Sequence, residues 1–270
     1  MQDRSLTEIL QARRPSRFFE RFADFPGPSK RYMIATTARS GSTFLCSRMA
    51  EYGTLGYPNE FLNESYIAEF DRLFPEPNLS DFENFVLSSF TTPNGVFGFK
   101  TDFWRFRQAM ELGFLKSLHH PIDLVIFLKR DDFVSQAISL ALAVETNIWH
   151  GQNLPSSYVQ ERHMRIEYNP VNIKHHARNI LNQEFYWRKY IIDCGVDVFE
   201  VTYESISDNI DDIIKILSER MSIKFEILNS DPIIEKSRSD IKSIWIERFH
   251  EECPEFIDFW HEFRGIISAQ

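Results

Sequence analysis

Residues 32–46 read Tyr32-Met33-Ile34-Ala35-Thr36-Thr37-Ala38-Arg39-Ser40-Gly41-Ser42-Thr43-Phe44-Leu45-Cys46. An apolar run passes through a Gly/Ser/Thr turn into residues with helical spacing, the layout of a strand, an anion-binding loop and a helix. A helix N-terminus carries unsatisfied N–H groups and about half a positive charge, and small residues there let an anion approach the backbone. Leu45 and Met49 fall on one helical face, and Gly53 is placed to end the helix in a left-handed turn. The bland alternative is a tight turn that caps an ordinary helix.

The phosphate loop of nucleotide kinases reads G-x-x-x-x-G-K-[ST]. Gly41 and Thr43 fit that pattern, but Ser42 replaces its Lys and Thr36 its leading Gly. The positive charge sits ahead of the glycine instead, at Arg39. A planar guanidinium grips an oxyanion as a fork, which suits a bridged phosphate and sulfate better than a magnesium-bound triphosphate.

Apolar runs at 32–36, 96–99, 123–128 and 197–202 read as strands, and helices are predicted at about 43–52, 104–118, 131–146, 170–192 and 208–220. Near-continuous apolar strands separated by helical runs imply an α/β fold of the P-loop type. Its central sheet of about four to five strands is mostly parallel, with helices on both faces. Ligands on such sheets bind beyond the carboxyl ends of the strands.

With 270 residues, 43% of them hydrophobic, the chain can bury one large core. The expected organisation is an N-terminal arm over 1–30 and a single domain over 31–270, joined at Pro26-Gly27-Pro28-Ser29. Residues 5–24 have apolar spacing for an amphipathic helix interrupted by Pro15, read as packing or a dimer contact. A net charge of −9 argues against nucleic-acid and anionic-membrane partners, so any polyanion must sit in a local basic pocket. Cys46, Cys194 and Cys253 give neither a disulfide framework nor a zinc spacing. With no long apolar run and no leader-like start, the expectation is a cytoplasmic protein without an integral membrane segment.

The loop Arg39-Ser40-Gly41-Ser42-Thr43 resembles the 5′-phosphosulfate loop of sulfotransferases, in the variant found in the bacterial trehalose, lipopolysaccharide and Nod-factor group. Four later segments match that group in order. They are Tyr57-Pro58-Asn59-Glu60-Phe61, Thr92 through Lys100, Arg130 through Ser139, and Val144-Glu145-Thr146-Asn147-Ile148-Trp149. The resemblance implies transfer of a sulfuryl group from 3′-phosphoadenosine 5′-phosphosulfate to a hydroxyl of a carbohydrate, glycolipid or small molecule, with 3′-phosphoadenosine 5′-phosphate as the nucleotide product. It also implies a homodimer.

By the same resemblance Arg39, Ser40, Gly41, Ser42 and Thr43 hold the phosphosulfate, and Arg130 and Ser139 hold the 3′-phosphate. Family spacing between those last two is eight residues; here it is nine, which keeps Ser135 as a reserve. Arg130 read without the resemblance is an ion-pair partner of Asp131 or Asp132. Glu60 is the expected general base, since a sugar hydroxyl attacks well only as its proton is removed; the plain alternative is a solvated loop carboxylate. Tyr57 stands where a family member has a second acidic residue, which leaves the acceptor open. Lys100, placed by the sequence at a strand end, either stabilises charge on the leaving group or is an ordinary surface lysine. Trp149 and His150 are candidates for the acceptor pocket, with His150 as an alternative base and core packing open for Trp149. Tyr203-Glu204-Ser205 and Lys236-Ser237-Arg238-Ser239 are candidates for further nucleotide contacts, and pocket-forming loops are expected between 61 and 95 and around 147–168.

Metal-independent transfer is the expectation. Two other classes fit parts of the pattern: a P-loop kinase acting on a small molecule, and a non-catalytic nucleotide- or glycan-binding protein.

Overall fold

The structure, a computed structural model, describes residues 20–74, 78–113, 122–149, 154–225 and 240–268. The greater part of the N-terminal arm, His150 and the segment Lys236 to Ser239 therefore lie outside the described residues.

Four strands form one parallel sheet in the order β2-β1-β3-β4. They are β1 (Lys30–Thr36), β2 (Val96–Asp102), β3 (Leu124–Lys129) and β4 (Val198–Thr202). Alternate residues face two separate cores, which is why the strands are apolar nearly throughout. Met33, Ala35, Phe97, Phe99, Val125 and Phe127 pack on one side of the sheet. Tyr32, Ile34, Val96, Leu124, Ile126 and Leu128 pack on the other. Each of these side chains is 1% exposed or less.

Helices cover both faces. In chain order they are α1 (Glu20–Ala23), α2 (Ser42–Tyr52), α3 (Glu64–Leu73), α4 (Leu79–Phe90), α5 (Phe103–Glu111) and α6 (Phe133–Thr146). Then follow α7 (Ser156–Met164), α8 (Pro170–Cys194), α9 (Tyr203–Asp208), α10 (Ile210–Arg220), α11 (Asp240–Glu252) and α12 (Pro254–Ser268). One sheet face carries α3, α4 and α5 with Trp187 of α8, and the other carries α2 and α10. A third core lies among α6, α8, α11 and α12.

Three sequence expectations need correction. The stretch 61–95 is largely helical, as α3 and α4, because Asn63 caps Ser65 N–H and Asn78 and Asp81 form a reciprocal capping box. Likewise 147–168 contains α7, and the helix predicted over 104–118 stops at Glu111, just ahead of Gly113 at φ 70°. The helix predicted at about 208–220 is α10, with α9 ending at Asp208 just ahead of it.

The register brings Thr36 level with Asp102 and with Leu128, and Lys129 level with Thr202, so all four strands end at one edge. From β1 the chain goes to β2 on one side and then to β3 on the other. That reversal opens a crevice between the loops after β1 and β3, where ligands of open parallel sheets bind.

Candidate functional site

The loop after β1 is held from three directions. Trp187 Nε1 on α8 donates to Thr36 O at 2.9 Å, and Thr36 Oγ1 hydrogen-bonds Ser40 Oγ across the turn. Gln136, fully buried on α6, donates through Nε2 to Thr37 Oγ1 at 2.9 Å and to Ala38 O at 2.8 Å. The turn passes through two left-handed residues, Arg39 at φ 64° and Gly41 at φ 87°. Gly41 is the N-cap of α2 and no side chain caps that helix. The first-turn N–H groups of α2 are thus left for an anion. Gly53 ends α2 at φ 66°, as its spacing from Leu45 and Met49 implied.

Arg39 leaves this loop towards α6. Its Nε donates to Ser139 Oγ at 3.1 Å and its NH1 to the carbonyl of Trp149 at 2.5 Å. Arg130, directly after β3, donates through NH2 to Ser135 Oγ at 3.0 Å and through NH1 to the carbonyl of Arg39 at 3.5 Å. Both arginines therefore stand at the same mouth, and both serines are engaged: Ser135 by Arg130, Ser139 by Arg39. The carboxylate nearest to Arg130 is that of Glu204, at 3.9 Å, rather than Asp131 or Asp132. Glu204 also accepts from the backbone N–H groups of Asp131 and Asp132, and Asp132 caps α6 by accepting from Ser135 N–H. Burial, and then the nearby Arg130, push the Arg39 guanidinium below its ordinary value, although an arginine stays charged.

Tyr203 fills the gap between the two loops. A Cβ added at Gly41 would lie 2.2 Å from Tyr203 Cδ2, and the Arg130 guanidinium stacks 4.7 Å from the centre of the same ring. Glycine is needed here twice over, for its φ and for the ring against it.

Lys100 lies within β2, with Asp102 as the strand's last residue. It is not a surface lysine: it is 4% exposed. Its Nζ donates to Thr43 Oγ1 at 3.0 Å and lies 3.5 Å from Glu60 Oε1. Lys100 thus supplies to the loop, from a neighbouring strand, the cation that Ser42 does not. Gly98, two residues before Lys100, lies against Tyr32, since a Cβ there would lie 1.9 Å from the ring; the Tyr32 hydroxyl donates to Leu55 O at 2.6 Å.

Glu60 ends an irregular segment pinned to β2 by Lys100 N–H donating to Asn59 O at 3.0 Å. Asn63 Nδ2 donates to Glu60 Oε2 at 3.1 Å. Burial raises the Glu60 carboxyl, but Lys100, Asn63 and Arg105 together outweigh it and hold the group below the usual carboxylate value. Glu60 is therefore ionised at neutral pH and one lysine away from the helix N-terminus at Thr43.

Trp149 is 41% exposed, so it is not core, and its Nε1 donates to Asn147 Oδ1. Tyr57 is also exposed, at 41%. The sequence reading missed two basic groups, Lys242 on α11 and His163 on α7. Burial, then Arg130, lower the Lys242 ammonium to about 8, with Asp132 opposing and Arg39 adding. Burial, then Arg39 and Lys242, lower His163 as well. Neither lies in a motif, and both meet the arginines only through the fold.

The fold is thus an α/β protein whose sheet edge gathers two arginines, a buried lysine and an uncapped helix N-terminus. The family model for the Stf0 sulphotransferases matches residues 31–252, and the chain belongs to that family. It is 25% identical over 261 residues to the trehalose 2-sulfotransferase of Mycobacterium tuberculosis (strain ATCC 35801 / TMC 107 / Erdman), covering 83% of this chain and 95% of that one. It is 25% identical over 260 residues to the trehalose 2-sulfotransferase of Mycolicibacterium smegmatis (strain ATCC 700084 / mc(2)155), covering 82% and 95%. A sulfotransferase from Alicyclobacillus acidocaldarius, known as a crystal structure, aligns over 87% of this chain and 98% of its own at 12% identity and a TM-score of 0.45. No helix among the described residues is long and apolar enough to cross a membrane.

Proposed function

We propose that this chain transfers a sulfuryl group from 3′-phosphoadenosine 5′-phosphosulfate to a carbohydrate hydroxyl, with Glu60 as general base. The observation that carries the reading is the line Glu60, Lys100, Thr43, which couples an ionised carboxylate to the uncapped end of α2 through one buried ammonium. The residues fit the nucleotide at both ends. The N–H groups that open α2, with Ser40, Ser42, Thr43 and Lys100, would receive the phosphosulfate. Arg130, Ser135 and Ser139 would receive the 3′-phosphate, and Arg39 bridges from the loop to Ser139. Bound there, the nucleotide supplies an activated sulfuryl group and departs as the 3′,5′-bisphosphate.

The chain's own residues do the rest. Glu60 accepts the proton of the acceptor hydroxyl while that oxygen bonds to sulfur, a contribution of about 10²–10⁴ in rate for a positioned base. Lys100, buried on β2 with its ammonium between Thr43 and Glu60, would place fixed positive charge where the departing phosphate gathers negative charge. Lys100 also keeps Glu60 ionised, at some loss of basicity. The exposed ring of Trp149 beside Arg39 is suited to a sugar face. The trehalose named for both mycobacterial relatives makes a disaccharide the first acceptor to try.

Transfer of labelled sulfate from 3′-phosphoadenosine 5′-phosphosulfate to trehalose and a panel of sugars tests this. E60Q is expected to lose about 10²–10⁴ in kcat while binding the bisphosphate within about twofold of wild type. Full turnover in E60Q would remove Glu60 from the mechanism. The presence of a chelator is expected to leave the wild-type rate unchanged.

A further inference from the structure

Lys242 lies in the first turn of α11, which packs on α6 and α7. Its inward direction is set by sequence spacing: Trp245 and Phe249, three and seven residues on, are 5% and 0% exposed in the core shared with α6 and α8. Gln160 Nε2 of α7 donates to Asp240 Oδ2 at 2.8 Å and fixes the head of α11 beside α7. The far end of α11 meets α12 through Phe249 and Phe256, whose ring centres are 6.1 Å apart.

The charged groups around Lys242 are Arg130 and Asp132 from the end of β3 and the start of α6, Arg39 from the loop after β1, and His163 from α7. On its own helix, Asp240 is taken by Gln160. Asp132 is committed to capping α6, and Glu204 to the N–H groups of Asp131 and Asp132. Among the described residues Lys242 has no ion-pair partner at salt-bridge distance. Among the described residues, three cations and a histidine thus act on one another at this mouth, and the carboxylates beside them, Asp132 and Glu204, are already engaged. Such repulsion is relieved by a multiply charged anion.

We propose that Lys242 is a further cation of the subsite that holds the 3′-phosphate, reaching it from α11; this rests on reading the mouth as the seat of the adenosine 3′,5′-bisphosphate unit. It acts at the 3′ end because its neighbours are Arg130 and Asp132, whereas the phosphosulfate end is served by Lys100 at Thr43. Lys242 therefore discriminates between nucleotides with and without a 3′-phosphate. Burial and Arg130 bring its proton loss down to about 8. A bound dianion draws that proton back, so binding takes up a proton near this pH and weakens as pH rises past it. The 3′-phosphate itself, with a second pKa of about 6, is already dianionic throughout that range. His163, lowered from 6.5, is neutral there.

Calorimetric titration with adenosine 3′,5′-bisphosphate and with adenosine 5′-monophosphate, from pH 7 to 9, decides the matter. K242M is expected to lose about tenfold or more in affinity for the bisphosphate, as for a charge-assisted hydrogen bond, and none for the monophosphate. Wild type is expected to bind the bisphosphate less tightly at pH 9 than at pH 7; K242R should bind it equally at both, because arginine stays charged. K242R also serves if K242M does not fold. A wild-type preference for the bisphosphate that survives unchanged in K242M, or a pH dependence that survives in K242R, overturns the role of Lys242 and leaves the nucleotide reading intact. A wild-type protein that does not bind the bisphosphate overturns both.

Discussion

At the scale of single residues, Gly41 and Lys100 carry the most specific expectations. Gly41 combines φ 87° with a tyrosine ring 2.2 Å from where a Cβ would sit. G41A is expected to destabilise the fold by about 1–3 kcal/mol, the range for one strained residue, and to weaken nucleotide binding by displacing Tyr203 from beneath Arg130. Thermal melting checks it; an unchanged melting temperature would mean that the loop relaxes freely. Lys100 is one of the groups holding the Glu60 carboxyl below its ordinary value against burial, which pulls it up. Removing that charge lets burial count for more, so the acid limb of kcat/KM in K100M should move to higher pH. A limb that stays in place would show that Lys100 does not govern Glu60. Both residues were legible in the sequence as candidates, but the burial of Lys100 was not, because it follows from Thr43 and Glu60 closing over β2 from distant parts of the chain.

At the scale of elements, β1, β2 and β3 were readable because each is buried on both faces and so is written in apolar residues. By contrast β4, at the sheet edge, is half-buried and carries the exposed Glu200. The helices α3 and α4 escaped notice although Asn63 and the Asn78 to Asp81 box announce their starts. Lys242 on α11 was beyond reach, since its meaning depends on Arg39 and Arg130, far away in sequence. The C-terminal helix is tied in by a similar long-range pair. Glu184 on α8 is 2% exposed and takes both Arg264 Nε at 3.0 Å and Arg264 NH2 at 2.8 Å. Burial raises the Glu184 carboxyl above its ordinary value, with Arg264 the first group opposing that rise. R264M is expected to cost about 3–5 kcal/mol at neutral pH, the range for a buried charge stripped of its partner. A raised carboxyl costs nothing while both folded and unfolded forms are protonated, and costs more as pH climbs through its folded value. The loss in R264M should therefore be larger at pH 8 than at pH 5 in denaturant titrations; an equal loss at both would mean that the pair contributes packing alone.

At the scale of the whole molecule, a chain of net charge −9 concentrates basic groups at one sheet edge. The strand order opens a crevice between β1 and β3, and the loops that leave those two strands carry Arg39 and Arg130. Acidity elsewhere keeps the surface from holding polyanions in general, and the proposed function has the mouth take a small one. Calorimetry with adenosine 3′,5′-bisphosphate beside magnesium ATP tests that claim most directly. The expected result is tight binding of the bisphosphate without added metal and weak binding of ATP; preference for magnesium ATP would contradict the account.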